Sequence, residues 1–103
     1  MKNHILLIGR GEIAFQHASA ANHLGASVSI FARSEDKTKD FKFQNLLNCS
    51  FIYGNDTHLR DAVDSFDKII IAVDPESLEP VLSNILSWSK NKTVLIEKPG
   101  FNK

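Results

Sequence analysis

The sequence predicts a doubly wound α/β domain, with one parallel sheet of five strands in the order 3-2-1-4-5 and helices on both faces. Short apolar runs of strand composition alternate with segments of helical periodicity along the chain. A glycine turn follows the first apolar run, as in domains whose parallel strands are joined by right-handed crossovers. The 103 residues suffice for one such domain, and no repeat, linker or low-complexity stretch interrupts it.

In the first half of the chain, strands are predicted over residues 4–8 and 27–31, where apolar and β-branched residues concentrate. Residues 12–24 between them have helical spacing, and Gly25 is the expected end of that helix. The predicted buried stripe of the helix consists of Ile13, His17, Ala21 and Leu24.

Residues 34–48 have the weakest pattern in the chain. Ser34 could cap a helix over residues 35–40, because a serine hydroxyl can accept from the first N–H groups of a helix. Phe41 and Phe43 do not continue the period of such a helix. We therefore expect either one short helix or two broken turns here.

The second half has a more regular pattern, with strands predicted over residues 50–53, 68–73 and 93–97. Asp56 or Thr57 is expected to cap the helix between the first two of these strands. The apolar residues at helical spacing in that helix are Leu59, Ala62, Val63 and Phe66.

The last helix is predicted to follow Asp74-Pro75. Ser77 is expected to cap it, because Pro80 would then fall in the first turn, where no N–H is needed. The run Lys98-Pro99-Gly100 is expected to end the last strand. The predicted buried face of the helix contains Leu78, Val81, Leu82, Ile85 and Trp88.

The composition excludes several classes of protein. Lysine plus arginine equals aspartate plus glutamate at 12 each, so no net charge draws the chain to nucleic acid or to a membrane. The single cysteine, Cys49, excludes an internal disulfide and fits a reducing compartment. Residues 5–9 are too short an apolar stretch for a signal peptide or membrane span, so we expect a cytoplasmic protein. The histidines lack metal-ligand spacing, and no metal site is expected.

The glycine turn has the spacing G-x-G-x-x-A, formed by Gly9, Gly11 and Ala14. Gly9 can adopt the tight turn, Gly11 lets a ligand approach the backbone, and Ala14 lets the helix pack close to the sheet. The exposed N–H groups of a helix that begins here attract a phosphate, so nucleotide binding is the favoured interpretation. Arg10 either follows the phosphates or projects into water. The alternative is a turn that uses glycine for geometry alone.

The end of the second predicted strand bears on the choice of nucleotide. A site that prefers NAD usually has an acidic residue about twenty residues beyond the glycines, where it binds the ribose hydroxyls. This chain has Arg33 and Ser34 there, and its first carboxylate is Glu35. An arginine beside a hydroxyl donor suits a 2′-phosphate, and its guanidinium can also stack on adenine. NADP is therefore favoured over NAD, unless Arg33 is a solvated loop residue and Ser34 only a helix cap.

Charged residues also stand at the end of the last predicted strand, in Glu97-Lys98-Pro99-Gly100. A lysine beside the expected nicotinamide could bind a substrate hydroxyl or assist a proton transfer, so Lys98 is the predicted catalytic residue. The alternative is a charged strand terminus that proline stops. The predicted cofactor-binding residues are Gly9, Arg10, Gly11, Glu12, Ile13, Arg33, Ser34, Asp74 and Glu97.

Together these residues resemble the Gfo/Idh/MocA oxidoreductases, the relatives of glucose–fructose oxidoreductase and inositol dehydrogenase. The resemblance covers only that family's N-terminal Rossmann-like domain. It implies NAD(P)-dependent oxidation or reduction of a sugar or polyol, with Lys98 near the nicotinamide and the substrate. The matching residues are Ile8-Gly9-x-Gly11-x-Ile13-Ala14 with His17, then Ala32-Arg33, then Glu97-Lys98-Pro99.

Two departures from that family affect the expected activity. Members often carry a histidine in the loop after the fourth strand, where this chain has Glu79. The family's second domain, which holds the substrate and supplies the catalytic histidine, does not occur in residues 1–103. His17 is expected to be a satisfied structural histidine, and the catalytic role cannot be assigned to any of His4, His17, His23 and His58.

We therefore expect an NADP-binding domain that turns over a sugar-like substrate only with a missing domain or partner. A stand-alone NADP-binding regulatory module is one alternative. A partner-binding domain that has the same scaffold but no ligand is another. Self-association through the face left by the missing domain stays open in each case.

Overall fold

The computed structural model describes residues 3–73 and 75–97, which form a five-stranded parallel sheet with helices on both faces. The strand order is 3-2-1-4-5, so the predicted doubly wound α/β fold is confirmed. The elements are β1 (His4–Ile8), α1 (Glu12–His23), β2 (Ser27–Ala32), α2 (Lys37–Leu46), β3 (Cys49–Tyr53), α3 (Asp56–Ser65), β4 (Lys68–Ile71), α4 (Pro75–Trp88) and β5 (Thr93–Ile96).

The sheet separates two apolar cores. α1 and α2 pack on one face, where Ala18 and Phe43 lie against Leu7 and Ile30. α3 and α4 pack on the other face, in a core whose buried members are Leu6, Ile8, Phe31, Leu59, Ala62, Val63, Ile69, Ile71 and Ile85. Since β1 lies in the middle of the sheet, its carboxyl end opens at the point where the strand order reverses.

Helix α1 buries a different stripe from the predicted one. Ala14, Ala18 and Ala21 are buried, because their small side chains let the helix lie close to the sheet. His17 is only partly buried, on the border of this stripe. Leu24 is the C-cap residue and is 84% exposed, so its predicted burial is wrong.

Helix α2 is one continuous helix, so the alternative of two broken turns is wrong. Asp36 caps it instead of Ser34, since the Asp36 carboxylate accepts from the N–H groups of Thr38 and Lys39. Its buried face combines Phe43 with the charged residue Asp40, and this polar member obscured the apolar period.

The other helix starts also differ from the predictions. Asn55 caps α3 in place of Asp56 or Thr57, and His58 completes a capping box by accepting from the Asn55 N–H at 3.1 Å. Helix α4 begins at Pro75, so Ser77 is not its cap, because proline is itself favoured at the first helical position.

Several strand ends differ by one or two residues from the predictions. β4 ends at Ile71 instead of residue 73, and β5 ends at Ile96 instead of residue 97. β2 and β3 each gain one residue, Ala32 and Cys49. The ends of a strand are defined by its hydrogen bonds to the neighbouring strands, and apolar composition does not indicate where those bonds stop.

Among the described residues, no helix combines the length and apolar character needed to cross a membrane. Within the same residues, no group of three histidine, cysteine, aspartate or glutamate side chains is arranged to hold a metal ion. Burial raises the pKa of the Cys49 thiol to about 11, so this cysteine stays protonated and unreactive near neutral pH.

Candidate functional site

The glycine turn after β1 brings the backbone close to the end of β4. Gly9 has φ +124°, a conformation that side-chain-bearing residues rarely adopt. A Cβ atom at this position would lie 2.2 Å from the Ala72 carbonyl oxygen. That segment is fixed in turn, because the Ala72 N–H donates to the Ile8 carbonyl at 2.8 Å. The chain itself therefore requires glycine at position 9.

Gly11 has no such structural requirement. It is the N-cap residue of α1 with φ −84°, and a Cβ atom there would have no neighbouring atom within 4 Å. No side chain caps the helix at this residue. The first N–H groups of α1, beginning with those of Glu12 and Ile13, thus face open space at the carboxyl edge of the sheet, where an anion can bind.

The Glu12 side chain reaches from the start of α1 to α2. Its carboxylate pairs with the Lys42 ammonium of α2 at 2.9 Å. The Lys42 ammonium also lies 4.6 Å from the centre of the Phe15 ring. These contacts tie α1 to α2, and because the carboxylate is already paired, the backbone N–H of Glu12 is the group that can receive an anion.

Arg10 connects the glycine turn to the loop after β2. Its Nη1 donates to the Ser34 carbonyl and lies 3.3 Å from Asp40 Oδ1. The Arg10 side chain is 20% exposed, so the alternative in which it simply projects into water is wrong. Its guanidinium instead lies where the end of β2 meets the glycine turn.

Asp40 and Tyr53 complete this cluster, and neither of them is among the site residues predicted from the sequence. Asp40 is 1% exposed, and its Oδ2 accepts from the Tyr53 hydroxyl at 2.7 Å and from the Asp36 N–H at 3.0 Å. Partial burial and the hydrogen bond to Asp40 raise the pKa of Tyr53 to about 12. The carboxylate is thus held by donors from three segments of the chain.

A titration of Tyr53 tests this cluster directly, because Tyr53 is the single tyrosine of the chain. We expect the ultraviolet absorbance of tyrosinate to rise with a midpoint near pH 12 in the folded protein, against the ordinary tyrosine pKa of 10.0. The stabilisation from this group is complete below about pH 10 and is lost as the pH rises through about 12. In Asp40→Asn the midpoint should fall towards 10, and a midpoint of 10 in the folded native protein would contradict the contact.

An open groove of about 390 Å³ adjoins the glycine turn on the α2 side. Three cations and one carboxylate are among its lining residues, so its charge is predominantly positive. The lining residues are Arg10, Gly11, Glu12, Thr38, Lys39 and Lys42. In the part of the chain that the structure describes, Lys39 has no ion-pair partner, whereas Arg10 and Lys42 each have one.

Arg33 and Ser34 follow β2, as predicted, but their contacts differ from the expected ones. The Arg33 guanidinium lies 2.6 Å from Asp56 Oδ1, in the first turn of α3. Both side chains are more than half exposed. Ser34 is exposed and does not cap α2, and its carbonyl accepts from Arg10 instead.

Glu97 lies just beyond β5, beside α1. Its Oε1 is 3.3 Å from Nε2 of His17, which is the polar contact of that histidine. The contact joins the end of β5 to the helix that follows the glycine turn. Lys98, the predicted catalytic residue, and Asp74, a predicted cofactor-binding residue, lie outside the described residues.

Comparison with known proteins adds a family and a structural neighbour. The family model described as "NADP oxidoreductase coenzyme F420-dependent" matches residues 4–97. No curated protein sequence matches the chain. A crystal structure from Desulfitobacterium hafniense DCB-2, provisionally described as an NADPH-dependent oxidoreductase, is similar with a TM-score of 0.69 and 23% identity. The similarity covers 96% of this chain but only 28% of that one, so this chain spans about a quarter of its neighbour's length.

Proposed function

Because this chain belongs to the family of F420-dependent NADP oxidoreductases, we propose that it binds NADP(H) across the carboxyl edge of its sheet as the nucleotide domain of an oxidoreductase. The observation that carries this proposal is the N-terminus of α1. Gly11 leaves it without a side-chain cap, and a Cβ atom at this position would have no neighbouring atom within 4 Å, so the fold does not require glycine there. Such a site suits the diphosphate of a dinucleotide.

The charges around the end of β2 favour NADP over NAD. Arg33 and Ser34 stand where a carboxylate would bind the ribose hydroxyls of NAD. The nearest buried carboxylate, Asp40, already accepts from Arg10, Tyr53 and Asp36. A 2′-phosphate arriving here would meet the cations of the groove, whose one carboxylate, Glu12, is already paired with Lys42.

The nicotinamide is proposed to lie at the other end of the turn, near the ends of β4 and β5. Gly9 packs there against Ala72, and the His17 contact holds Glu97 nearby. Lys98 follows Glu97 directly in the sequence. We therefore keep Lys98 as the proposed residue that binds or protonates the substrate, with Asp74 as a further proposed contact of the cofactor.

We propose two candidates for the second substrate, which exchanges a hydride with NADP(H). The family description supports a deazaflavin coenzyme as the redox partner of NADP(H). The Glu97-Lys98-Pro99 motif, through its resemblance to the Gfo/Idh/MocA oxidoreductases, supports a sugar or polyol. An assay of the protein that carries this domain distinguishes them, by F420-dependent oxidation of NADPH or by polyol-dependent reduction of NADP+. For the domain alone we expect nucleotide binding without turnover.

Calorimetric titration of the chain with NADPH and NADH tests the proposal. We expect micromolar binding of NADPH and affinity for NADH weaker by about tenfold or more, since a charge-assisted contact contributes about 1.5–3 kcal/mol. Lys90→Ala provides a matched control, because Lys90 is exposed in the turn before β5, at the opposite edge of the sheet. If neither nucleotide binds, the proposal is wrong, and a partner-binding domain without ligand becomes the better interpretation.

A further inference from the structure

We infer that Arg10, and not Arg33, distinguishes NADP from NAD, and that buried Asp40 is the positioning residue that holds Arg10 for this task. The inference rests on the proposed function, because it assigns the 2′-phosphate to a definite part of the nucleotide site. It differs from the expectation drawn from the sequence, in which Arg33 is the principal contact. The difference follows from where the two guanidinium groups lie.

Arg33 is directed towards the α3 side of the sheet. Its partner Asp56 belongs to the first turn of α3, and α3 packs on the opposite face from α1 and α2. A contact between two side chains that are both more than half exposed is screened by solvent and fixes neither of them firmly. Arg33 is therefore neither directed at the groove nor held in one position.

Arg10, by contrast, lies at the groove and is held in position. It belongs to the glycine turn, lines the groove, and is anchored through one nitrogen, Nη1, to Ser34 and Asp40. A guanidinium group has five N–H donors, so the remaining donors can meet a phosphate in a bidentate manner. The ribose that follows a diphosphate at Gly11 would reach the junction of the glycine turn and the β2–α2 loop, where Arg10 lies.

Asp40 holds the Arg10 side chain in the position that the phosphate contact requires. An unrestrained arginine loses rotamer entropy when a ligand immobilises it, and this loss weakens binding. Asp40 has already immobilised Arg10, and Tyr53 and the Asp36 N–H hold the carboxylate from its other oxygen. The Arg10 side chain thus loses its rotamer entropy during folding and not on binding, so the phosphate meets a preorganised donor.

The test compares the ratio of the NADPH and NADH dissociation constants among variants of the whole chain. Arg10→Ala should weaken NADPH binding by about 10–100-fold and change NADH binding by less than about twofold. Arg10→Lys should give an intermediate ratio, because lysine keeps the charge but not the planar fork. Arg33→Ala, the matched control, should leave the ratio within about twofold.

Asp40→Asn should reduce the preference for NADPH, because the anchor of Arg10 loses its charge. Tyr53→Phe, which removes one of the two donors that hold the other oxygen of this carboxylate, should reduce the preference less than Asp40→Asn does. Phe43→Leu, which removes core contacts of the same helix, should lower the melting temperature but leave the ratio unchanged, so a merely structural effect is recognisable. If Asp40→Asn does not fold, Arg10→Ala and Arg33→Ala still decide the question.

Different binding results would overturn the role of Arg10 and the proposed function. A loss of preference in Arg33→Ala but not in Arg10→Ala would overturn the inference while NADP binding stands. Equal weakening of both nucleotides by Arg10→Ala would likewise overturn it. Absence of binding in the native chain would instead remove the proposed function itself.

Discussion

Substitution of Gly9 by alanine is expected to destabilise the domain by about 3 kcal/mol or more, a large part of the roughly 5–15 kcal/mol typical of a whole domain. The left-handed φ of +124° is strained for any residue with a side chain. In addition, the new methyl group would lie 2.2 Å from the Ala72 carbonyl oxygen. Relief would require β1 and β4 to separate, but the Ala72 N–H bonds the Ile8 carbonyl across these strands at 2.8 Å. Urea unfolding followed by circular dichroism measures the loss.

The same substitution two residues later is the control. Gly11→Ala adds a methyl group where no atom lies within 4 Å and φ is −84°. We expect a change in the free energy of unfolding of about 1 kcal/mol or less, because alanine is a poorer N-cap than glycine but fits the backbone. Equal stability of Gly9→Ala and Gly11→Ala would contradict the close contact between the glycine turn and β4.

The order of the strands and helices could be predicted because each buried element has a locally continuous signal. Residues 69–71 form an unbroken apolar run, and a strand covered by helices on both faces requires such a run. The glycine turn was also predictable, since its geometry depends on neighbouring residues. The backbone at Gly9 confirms the tight turn that its sequence context indicates.

The polar cluster could not be predicted, because its members come from distant segments. Asp40 interrupts the apolar period of α2, and it is compensated by Tyr53, 13 residues later, and Arg10, 30 residues earlier. Periodicity compares a residue only with its neighbours along one element. The one local sign was the spacing of Asp40 and Phe43, which lie three residues apart and share the buried face.

The direction of the Arg33 side chain could not be predicted either, because it depends on a residue from a distant segment. Its position after β2 follows from the strand order, but its orientation depends on Asp56, which begins a helix on the other face of the sheet. An exposed arginine has several rotamers, and the sequence does not select among them. Loop composition thus indicates which charges surround the nucleotide, while the contact that distinguishes NADP depends on tertiary structure.

Gly11→Asp is expected to abolish nucleotide binding without loss of stability, with dissociation constants for NADPH and NADH both raised by about 100-fold or more. Aspartate is a favoured N-cap, so its carboxylate can accept from the uncapped N–H groups of α1 and stabilise the helix by a few tenths of a kcal/mol. It would occupy the place proposed for the diphosphate and add a negative charge there. Calorimetric titration and thermal unfolding of the same sample measure both effects.

Two variants separate the causes of this effect. Gly11→Asn has the same shape as Gly11→Asp without the charge, so the difference in affinity between them measures the repulsion of the diphosphate. Asn91→Asp adds the same charge at the opposite edge of the sheet, where φ is +67° and aspartate is tolerated, and it should leave binding unchanged. If Gly11→Asp binds NADPH as tightly as the native chain, the diphosphate does not lie at the N-terminus of α1. The proposed site is then wrong, whatever the family of the chain, because Gly11 is the position at which the fold leaves room for the ligand.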